Sequence, residues 1–196
     1  MWILLGLGNP GSSYANNRHN IGFWCADELA RRAGVRLRRA GEHAREAVGQ
    51  VAGEPVVLVE PRTFMNRSGL AARWALSWHG MCVQDLIAVH DDVDLPLGTL
   101  RIKQGGGHGG HNGLRSIIDE LTADFIRVRL GIGRPSSRRE DLAEWVLSDF
   151  DAAEHQHGRE LAVRGADAVE TILISGVTAA MNRFNASSGQ EQVRTD

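Results

Sequence analysis

Strand-like and helix-like patterns alternate along this chain, and this alternation constrains its fold more than any other feature of the sequence. The apolar run at residues 2–7 is typical of a buried strand, and residues 21–33 carry apolar side chains on one helical face. Apolar stretches at 47–51 and 56–59 flank a Gly53-Glu54 turn and predict a hairpin. Interleaved strands and helices with one hairpin predict an α/β protein with a mixed sheet.

The later segments continue the alternation. Asn66 is the predicted N-cap of a helix that carries Leu70, Trp74 and Trp78 on one face and ends at Gly80. Strands are predicted over residues 86–89, 100–103 and 125–132, and helices over 114–121 and about 162–173.

Length and composition fit a single globular domain. The chain has 196 residues, of which we assign 1–185 to one domain and 186–196 to a flexible tail. Apolar residues make up 42% and charged residues 23%, as in ordinary soluble proteins. The sequence has neither a long apolar run nor a signal-like start, which predicts a cytoplasmic protein without membrane contact. Cys25 and Cys82 lack C-x-x-C spacing, so we expect buried, reduced thiols.

The stretch G-L-G-N-P-G after the first strand has the glycine spacing of a dinucleotide-binding turn, at Gly6, Gly8 and Gly11. That fold needs a helix that begins inside the motif and an acidic residue about 20 positions further on. Here the helical pattern starts only near residue 21, and Asp27 and Glu28 fall inside it. The glycines therefore predict a tight strand exit rather than a nucleotide site.

Polar loops follow several of the predicted strands, and their motifs together carry a resemblance. In order along the chain they read GLGNPG, RHN, FMN-x-SG, HDD-x-D-x-P, GGGHGGHNGL and RVRLGIGRP. Over residues 3 to about 184 this series closely resembles bacterial peptidyl-tRNA hydrolase. One departure is Asn17, where the family pattern has Thr before Arg-His-Asn. We expect no loss of chemistry, because both side chains can accept a hydrogen bond in a loop.

The resemblance implies both a fold and an activity. The fold is a single-domain, three-layer α/β/α sandwich with a mixed, mostly parallel twisted sheet. The activity is hydrolysis of the ester between a peptide and the 3′-terminal ribose of tRNA, which frees both for recycling. The implied partner is peptidyl-tRNA, held at its acceptor stem and CCA end. The resemblance also implies a monomer with no metal, no cofactor and no obligate protein partner.

The resemblance implies roles for individual residues, first of all a general base and the carboxylate that orients it. His19 matches the catalytic histidine and Asp91 the carboxylate that orients it, while Asn9 matches the residue that senses the peptide. Chemistry supports this choice, because an unperturbed imidazole titrates near neutral pH and a carboxylate on its second nitrogen fixes the tautomer. We expect Asp92 and Asp94 to shape the following turn, and His90 to be structural.

Further matched positions predict substrate contacts. Asn66 and Asn112 would hold the substrate near the ester, and Tyr14 and Phe64 would line the cleft for the terminal bases. Lys103 and Arg129 would contact acceptor-stem phosphates, with Arg101, Arg127 and Arg134 as neighbours in the same basic patch. For Met65 we expect packing, and for His111 support of Asn112 or a phosphate contact. Which group forms the oxyanion hole stays open.

Three alternatives remain at this point. A metal-dependent hydrolase would use His108 and His111 with nearby aspartates, but these histidines lie in a glycine loop rather than in a helical H-E-x-x-H motif. A serine or cysteine hydrolase lacks a G-x-S-x-G motif here. A non-enzymatic RNA-binding module would need a broader basic face than a net charge of −2 suggests.

Overall fold

A seven-stranded sheet forms the middle layer of the computed structural model, which describes residues 1–135 and 141–186. The predicted elements are present, and most have ends that shift by a few residues. The last helix is much longer at both ends than predicted, and a short strand at Arg38–Ala40 and a short helix at Leu142–Leu147 were not predicted. The strands are β1 (Trp2–Gly6), β2 (Arg38–Ala40), β3 (Ala44–Val51), β4 (Glu54–Pro61), β5 (Leu86–Asp92), β6 (Leu100–Gln104) and β7 (Ile126–Gly131). The helices are α1 (Ile21–Arg32), α2 (Ser68–His79), α3 (Asn112–Glu120), α4 (Leu142–Leu147) and α5 (Ala152–Asn185).

The sheet is mixed, as the sequence predicts. Its order is β2-β3-β4-β1-β5-β7-β6. The central strands β4, β1, β5 and β7 are parallel neighbours, whereas β3 and β6 run antiparallel to the strands beside them. The chain therefore visits one side of β1 first and then crosses to the other, which leaves a crevice at the carboxyl ends of the central strands.

Two hydrophobic cores lie on opposite faces of the sheet and make the molecule a three-layer α/β/α sandwich. Residues of α1 and α5 pack on one face, against alternate strand residues such as Leu4, Leu58 and Val89. Residues of α2 and α3 pack on the other face, against the intervening residues such as Leu5 and Val59. The alternation follows from the two-residue period of a strand that is covered on both faces.

The start of α1 lies directly on the carboxyl ends of β1 and β5, and one glycine makes this approach feasible. A Cβ atom built on Gly22 would lie 2.5 Å from the carbonyl oxygens of both Leu7 and Val89. A larger residue would push the helix away from the sheet. Gly22 therefore allows the turn that carries His19, immediately before α1, to lie close to the crevice.

Local expectations had mixed outcomes. Cys25 is buried as predicted, but Cys82 is exposed, because it lies in the connection after α2. Asn66 is not the N-cap of α2: it lies in a 3₁₀ turn, Met65–Arg67, and Arg67 occupies the cap position. Within the described residues, every helix is too short or too polar to cross a membrane. Residues 187–196, nearly all of the predicted tail, lie outside the described residues.

Candidate active site

A cleft of about 330 Å³ opens at the carboxyl ends of β5 and β7. It brings together side chains that are far apart in the sequence: His19 from the 3₁₀ turn Arg18–Asn20, Asp91 from β5, and His111 from the start of α3. The glycine-rich loop between β6 and α3 forms one wall, and α4 contributes another. Three of the loops that carried sequence motifs therefore meet in this cleft.

His19 and Asp91 are in direct contact at the base of the cleft. Nδ1 of His19 lies 2.8 Å from Oδ1 of Asp91, and both side chains are buried. An ionised carboxylate can only accept, so His19 carries its proton on Nδ1 and Nε2 keeps a free lone pair. This is the tautomer that a general base needs.

His111 holds the same carboxylate oxygen from the other side. Its Nδ1 accepts hydrogen bonds from the backbone N–H groups of Gly113 and Leu114 at 3.1 and 3.2 Å, so it is the N-cap of α3. The proton must then be on Nε2, which donates to Oδ1 of Asp91 at 3.0 Å. His111 therefore donates a hydrogen bond to Asp91 and caps the start of α3, and the sequence predicted neither of these contacts.

The two histidines keep Asp91 ionised despite its burial. Burial raises the pKa of this carboxyl, but the charges of His19 and His111 and their hydrogen bonds outweigh that effect and hold the pKa well below its usual value of 3.8. A permanently ionised Asp91 can stabilise an imidazolium on His19 whenever a proton arrives there.

His90, the residue before Asp91, has the structural position that the sequence predicted. Its Nδ1 donates to the backbone carbonyl of Asp91 at 2.7 Å, and its ring meets that of His111 edge-on at 4.9 Å. Burial, followed by the charge of His111, lowers the pKa of His90 to about 3. His90 therefore stays neutral at physiological pH and packs beneath the His111–Asp91 contact.

Asn9 lies in the loop after β1, lines a second cavity rather than the cleft that holds His19, and is fixed by hydrogen bonds on three sides. Its backbone N–H donates to Oδ1 of Asn20 and its carbonyl accepts from Nδ2 of Asn20, both at 2.9 Å. Its side-chain oxygen accepts from the backbone N–H of Met65 at 2.8 Å. The amide NH₂ of Asn9 is left without a partner among the described residues, so this group is oriented and available to donate.

Of the other predicted substrate residues, Asn112 lines the cleft with His19, whereas Asn66, Tyr14 and Phe64 are not among its lining residues. Asn66 lies in the turn after β4 and Asn112 is the first residue of α3; both side chains are exposed and make no hydrogen bond to another described residue. Tyr14 and Phe64 form an edge-to-face pair with ring centroids 6.2 Å apart. Phe64 is 55% exposed, so plain core packing does not explain it, whereas Met65 is buried as expected for a packing residue.

The basic patch is smaller than the sequence suggests. Lys103 is exposed, and no carboxylate among the described residues pairs with it. Arg129 and Arg134 are ion-paired with Asp92 and Asp94, at 2.8 and 2.6 Å. Two further arginines are engaged with backbone carbonyls: Arg101 with Phe184, and Arg127 with Gly106 and Gly107.

The expectation that Arg127 joins the phosphate patch is therefore wrong. Its side chain is buried and holds the glycine-rich loop from beneath, with Nη1 2.6 Å from the carbonyl of Gly107. Backbone carbonyls outside helices and strands need other hydrogen-bond donors, and a planar guanidinium can donate to two of them at once.

Within the described residues, one group of side chains has the geometry of a metal site. The nitrogen and oxygen atoms of His19, Asp91 and His111 lie within 4.8 Å of one another. Both histidines already hydrogen-bond one carboxylate oxygen, so a cation would have to displace these bonds. The predicted rival set assembles only in part: His111 contacts Asp91, but Nδ1 of His108 accepts from the backbone of Gly110 and Asp94 faces Arg134.

Comparison with known proteins agrees with the resemblance stated from the motifs. The family model described as "Peptidyl-tRNA hydrolase" matches residues 3–193. The chain belongs to the peptidyl-tRNA hydrolase family. It is 52% identical to the peptidyl-tRNA hydrolase of Rubrobacter xylanophilus over 93% of this chain and 99% of that one. The corresponding protein of Frankia casuarinae is 47% identical over 94% of each chain.

A solved structure extends the family likeness to three dimensions. The crystal structure of peptidyl-tRNA hydrolase from Acinetobacter baumannii superposes with a TM-score of 0.88, at 36% identity and 95% coverage of both chains. The sandwich fold predicted for a peptidyl-tRNA hydrolase is thus confirmed. The roles of the individual side chains, in contrast, rest on the geometry described above.

Sequence reasoning missed two residues that shape this site. Asn20 is the partner that holds the backbone of Asn9, and Arg18 anchors the turn that carries His19. Both belong to the Arg18-His19-Asn20 motif, which was the only available signal. A motif indicates which residues matter, but their partners are distant in the sequence, so their roles emerge only from the folded chain.

Proposed function

We propose that this protein hydrolyses the ester between a peptide, or an N-blocked amino acid, and the 3′-terminal ribose of tRNA. The observation that carries the proposal is the contact of His19 with Asp91, at 2.8 Å, inside a cleft of a chain of this family. The relatives named above carry the name of that activity. An ester needs little more than an activated water and stabilisation of the developing oxyanion.

The proposed reaction uses His19 first as a base and then as an acid. Nε2 of His19 takes a proton from a water molecule as its oxygen attacks the ester carbonyl carbon. Asp91 stabilises the imidazolium through the Nδ1–H bond. The tetrahedral intermediate collapses by breaking the bond to the ribose oxygen, which receives the proton from Nε2. The products are the peptide acid and tRNA with a free 3′-terminal hydroxyl.

Three asparagine amides, of which that of Asn112 lines the cleft, are suited to the peptide side of the substrate. The fixed NH₂ of Asn9 can donate to a peptide carbonyl next to the ester, which distinguishes a blocked from a free aminoacyl end. Asn66 and Asn112 have unengaged amides that can hold the ester and its oxyanion. Tyr14 and Phe64 offer aromatic surface on which a terminal base can stack.

The RNA side of the proposal depends on Lys103 and Arg129, two of the three described lysine and arginine residues that line the cleft without being buried; the third is Arg134. Phosphate contacts position a nucleic acid without reading its sequence, which suits an enzyme that accepts every tRNA. Because one chain provides the whole site, we propose that the enzyme acts as a monomer, in the cytoplasm where tRNA is used.

The test is hydrolysis of an N-acetylaminoacyl-tRNA by the wild-type protein and the His19→Ala variant. Loss of a general base should reduce kcat by about 10²–10⁴-fold, with KM changed little. His43→Ala, which removes a histidine outside the cleft, is the matched control and should keep full activity. A His19→Ala protein with near wild-type kcat would overturn the mechanism, and an inactive wild-type protein would overturn the function.

The phosphate contacts have a separate test in the salt dependence of KM. Lys103→Met removes the only lysine of the chain, and it should raise KM and reduce the slope of log KM against log salt by about 1. Arg36→Met removes an exposed arginine that follows α1, away from the cleft, and should leave the slope unchanged. An unchanged slope in the Lys103 variant would remove this residue from the RNA interface.

A further inference from the structure

Arg18 is a buried cation immediately before His19, and its side chain faces away from the cleft. Only 3% of the residue is exposed. Its guanidinium reaches the segment that joins α4 to α5: Nη1 donates to Oγ of Ser148 at 2.8 Å and to the carbonyl of Asp149, and Nη2 forms an ion pair with Glu154. A buried arginine with this many partners is held in one position.

Aromatic rings complete the socket around this guanidinium. Its central carbon lies 3.7 Å from the ring centroid of Trp145 in α4, and 5.2 Å from that of Phe150. A planar guanidinium can stack on a ring and donate in its own plane at the same time, whereas a lysine ammonium cannot do both. Trp145 is itself held by a bond from Nε1 to the carbonyl of Gly133, at 2.9 Å.

The backbone on either side of Arg18 is joined to the same segment. The N–H of Arg18 donates to the carbonyl of Ser148 at 3.0 Å, and that of Phe150 donates to the carbonyl of Asn16 at 3.3 Å. Nδ2 of Asn17 donates to Oδ1 of Asp149 at 2.6 Å. Asn17, the departure from the family pattern, thus acts as a donor here rather than as the acceptor expected from the sequence.

The α4 segment is also a wall of the cleft. Leu142, Ala143 and Val146 line the same cavity as His19, and Trp145 lies between them in the helix. Arg18 belongs to the turn that carries the catalytic imidazole. Its buried side chain therefore connects this turn directly to the helix against which the substrate would lie.

We propose that Arg18 is a positioning residue for the hydrolysis. Its guanidinium joins the His19 turn to the α4–α5 junction and so keeps the imidazole aligned with Asp91 and with the α4 wall. This inference rests on the proposed function for its kinetic consequence, but its geometric consequence, the alignment of His19 on Asp91, is independent of the substrate. A misalignment of about 1 Å in a reacting group is sufficient to cost a large part of a catalytic rate.

The experiment compares Arg18→Met with a matched control, Arg32→Met. Arg32 joins α1 to α5 through ion pairs with Asp167 and Glu170, and it lies at the opposite end of α1 from His19. For each variant we would measure the melting temperature, kcat and KM on N-acetylaminoacyl-tRNA. We would also record the downfield proton NMR signal of the His19 Nδ1–H, assigned by its loss in His19→Gln.

Arg18→Met should lower kcat about tenfold or more and broaden the His19 signal, while Arg32→Met keeps kcat within about twofold and retains the signal at a similar loss of melting temperature. Arg18→Lys should recover only part of kcat. If Arg18→Met does not fold, Arg18→Lys and Glu154→Gln provide milder perturbations, each with an expected loss of kcat of about threefold or more and a broadened signal.

An unchanged signal and unchanged kcat in the folded Arg18 variants would overturn the proposal, and so would equal losses in Arg18→Met and Arg32→Met. If the wild-type protein shows no hydrolysis, the proposed function fails, yet the NMR comparison still decides whether Arg18 holds His19 on Asp91.

Discussion

Glu60 is a buried carboxyl whose charge should make the stability of this protein fall as pH rises. The residue lies at the end of β4 with 1% exposure, and one of its oxygens bonds Nη1 of Arg45, its cross-strand neighbour, at 2.7 Å. The other oxygen of Glu60 has no hydrogen-bond partner when Glu60 and the nearby Asp27 of α1 are both ionised. When Glu60 is protonated, it can donate a hydrogen bond to Asp27. Burial, followed by the charge of Asp27, raises the pKa of Glu60 from 4.5 to about 8.

The sign and size of the effect follow from this pKa. The folded protein keeps the proton on Glu60 over a range in which the unfolded chain has lost it, so the contribution of Glu60 to the free energy of unfolding is greatest below pH 4.5 and falls until about pH 8. At 1.36 kcal/mol per pKa unit, the loss at alkaline pH has an upper limit of about 5 kcal/mol. Glu60→Gln retains the shape and cannot ionise, so this contribution to the pH dependence should disappear.

The assay is urea unfolding of the wild-type and Glu60→Gln proteins at pH 5.5, 7 and 9. The free-energy difference between them should grow in favour of the variant as pH rises, by at least about 2 kcal/mol over this range. Glu54→Gln makes the same chemical change at the exposed start of β4 and should leave the pH dependence unaltered. Parallel pH curves for wild type and Glu60→Gln would refute the reasoning.

Three further outcomes follow from the contacts of the site. Asp91→Asn should lower kcat on N-acetylaminoacyl-tRNA by about 10²–10⁴-fold, because an amide cannot stabilise the imidazolium; a loss below tenfold would contradict this role. Gly113→Ala should destabilise by about 1–3 kcal/mol in urea unfolding, since the new Cβ would lie 2.6 Å from Sδ of Met65, while Gly107→Ala, with open space around it, should not. Arg127→Met should speed amide hydrogen exchange in the glycine-rich loop and raise KM. Unchanged exchange would show that the conformation of this loop does not depend on the hydrogen bonds from Arg127.

The helices other than α4 could be located from the sequence, but the face that α2 buries could not. Spacing of Leu70, Trp74 and Trp78 suggested that these large residues face the core. The structure instead buries Ala71, Ala72, Ala75 and Leu76, and leaves Trp78 70% exposed. Small residues let a helix approach a sheet and another helix closely, and Trp74 is only partly buried, packing against the margin of this core and beside Gly41 of the neighbouring hairpin. Periodicity identifies a helix, whereas the volume available beneath it decides which stripe is buried.

The choice among Asp91, Asp92 and Asp94 shows what determines which carboxylate joins the candidate active site. Asp91 and Asp92 end β5, and Asp94 follows it. From sequence alone, Asp91 was preferred over Asp92 and Asp94 only through the family resemblance. In the folded chain, successive side chains of β5 point to opposite faces, so Asp91 meets His19 and His111 while Asp92 turns to Arg129. The partners are 72 and 20 residues from Asp91, which is why no local pattern could reveal them. The two ion pairs that remove Asp92 and Asp94 from the catalytic chemistry also neutralise Arg129 and Arg134, part of the basic patch. Our proposal that this cleft attracts RNA therefore depends most on Lys103, the exposed cation there that has no carboxylate partner among the described residues.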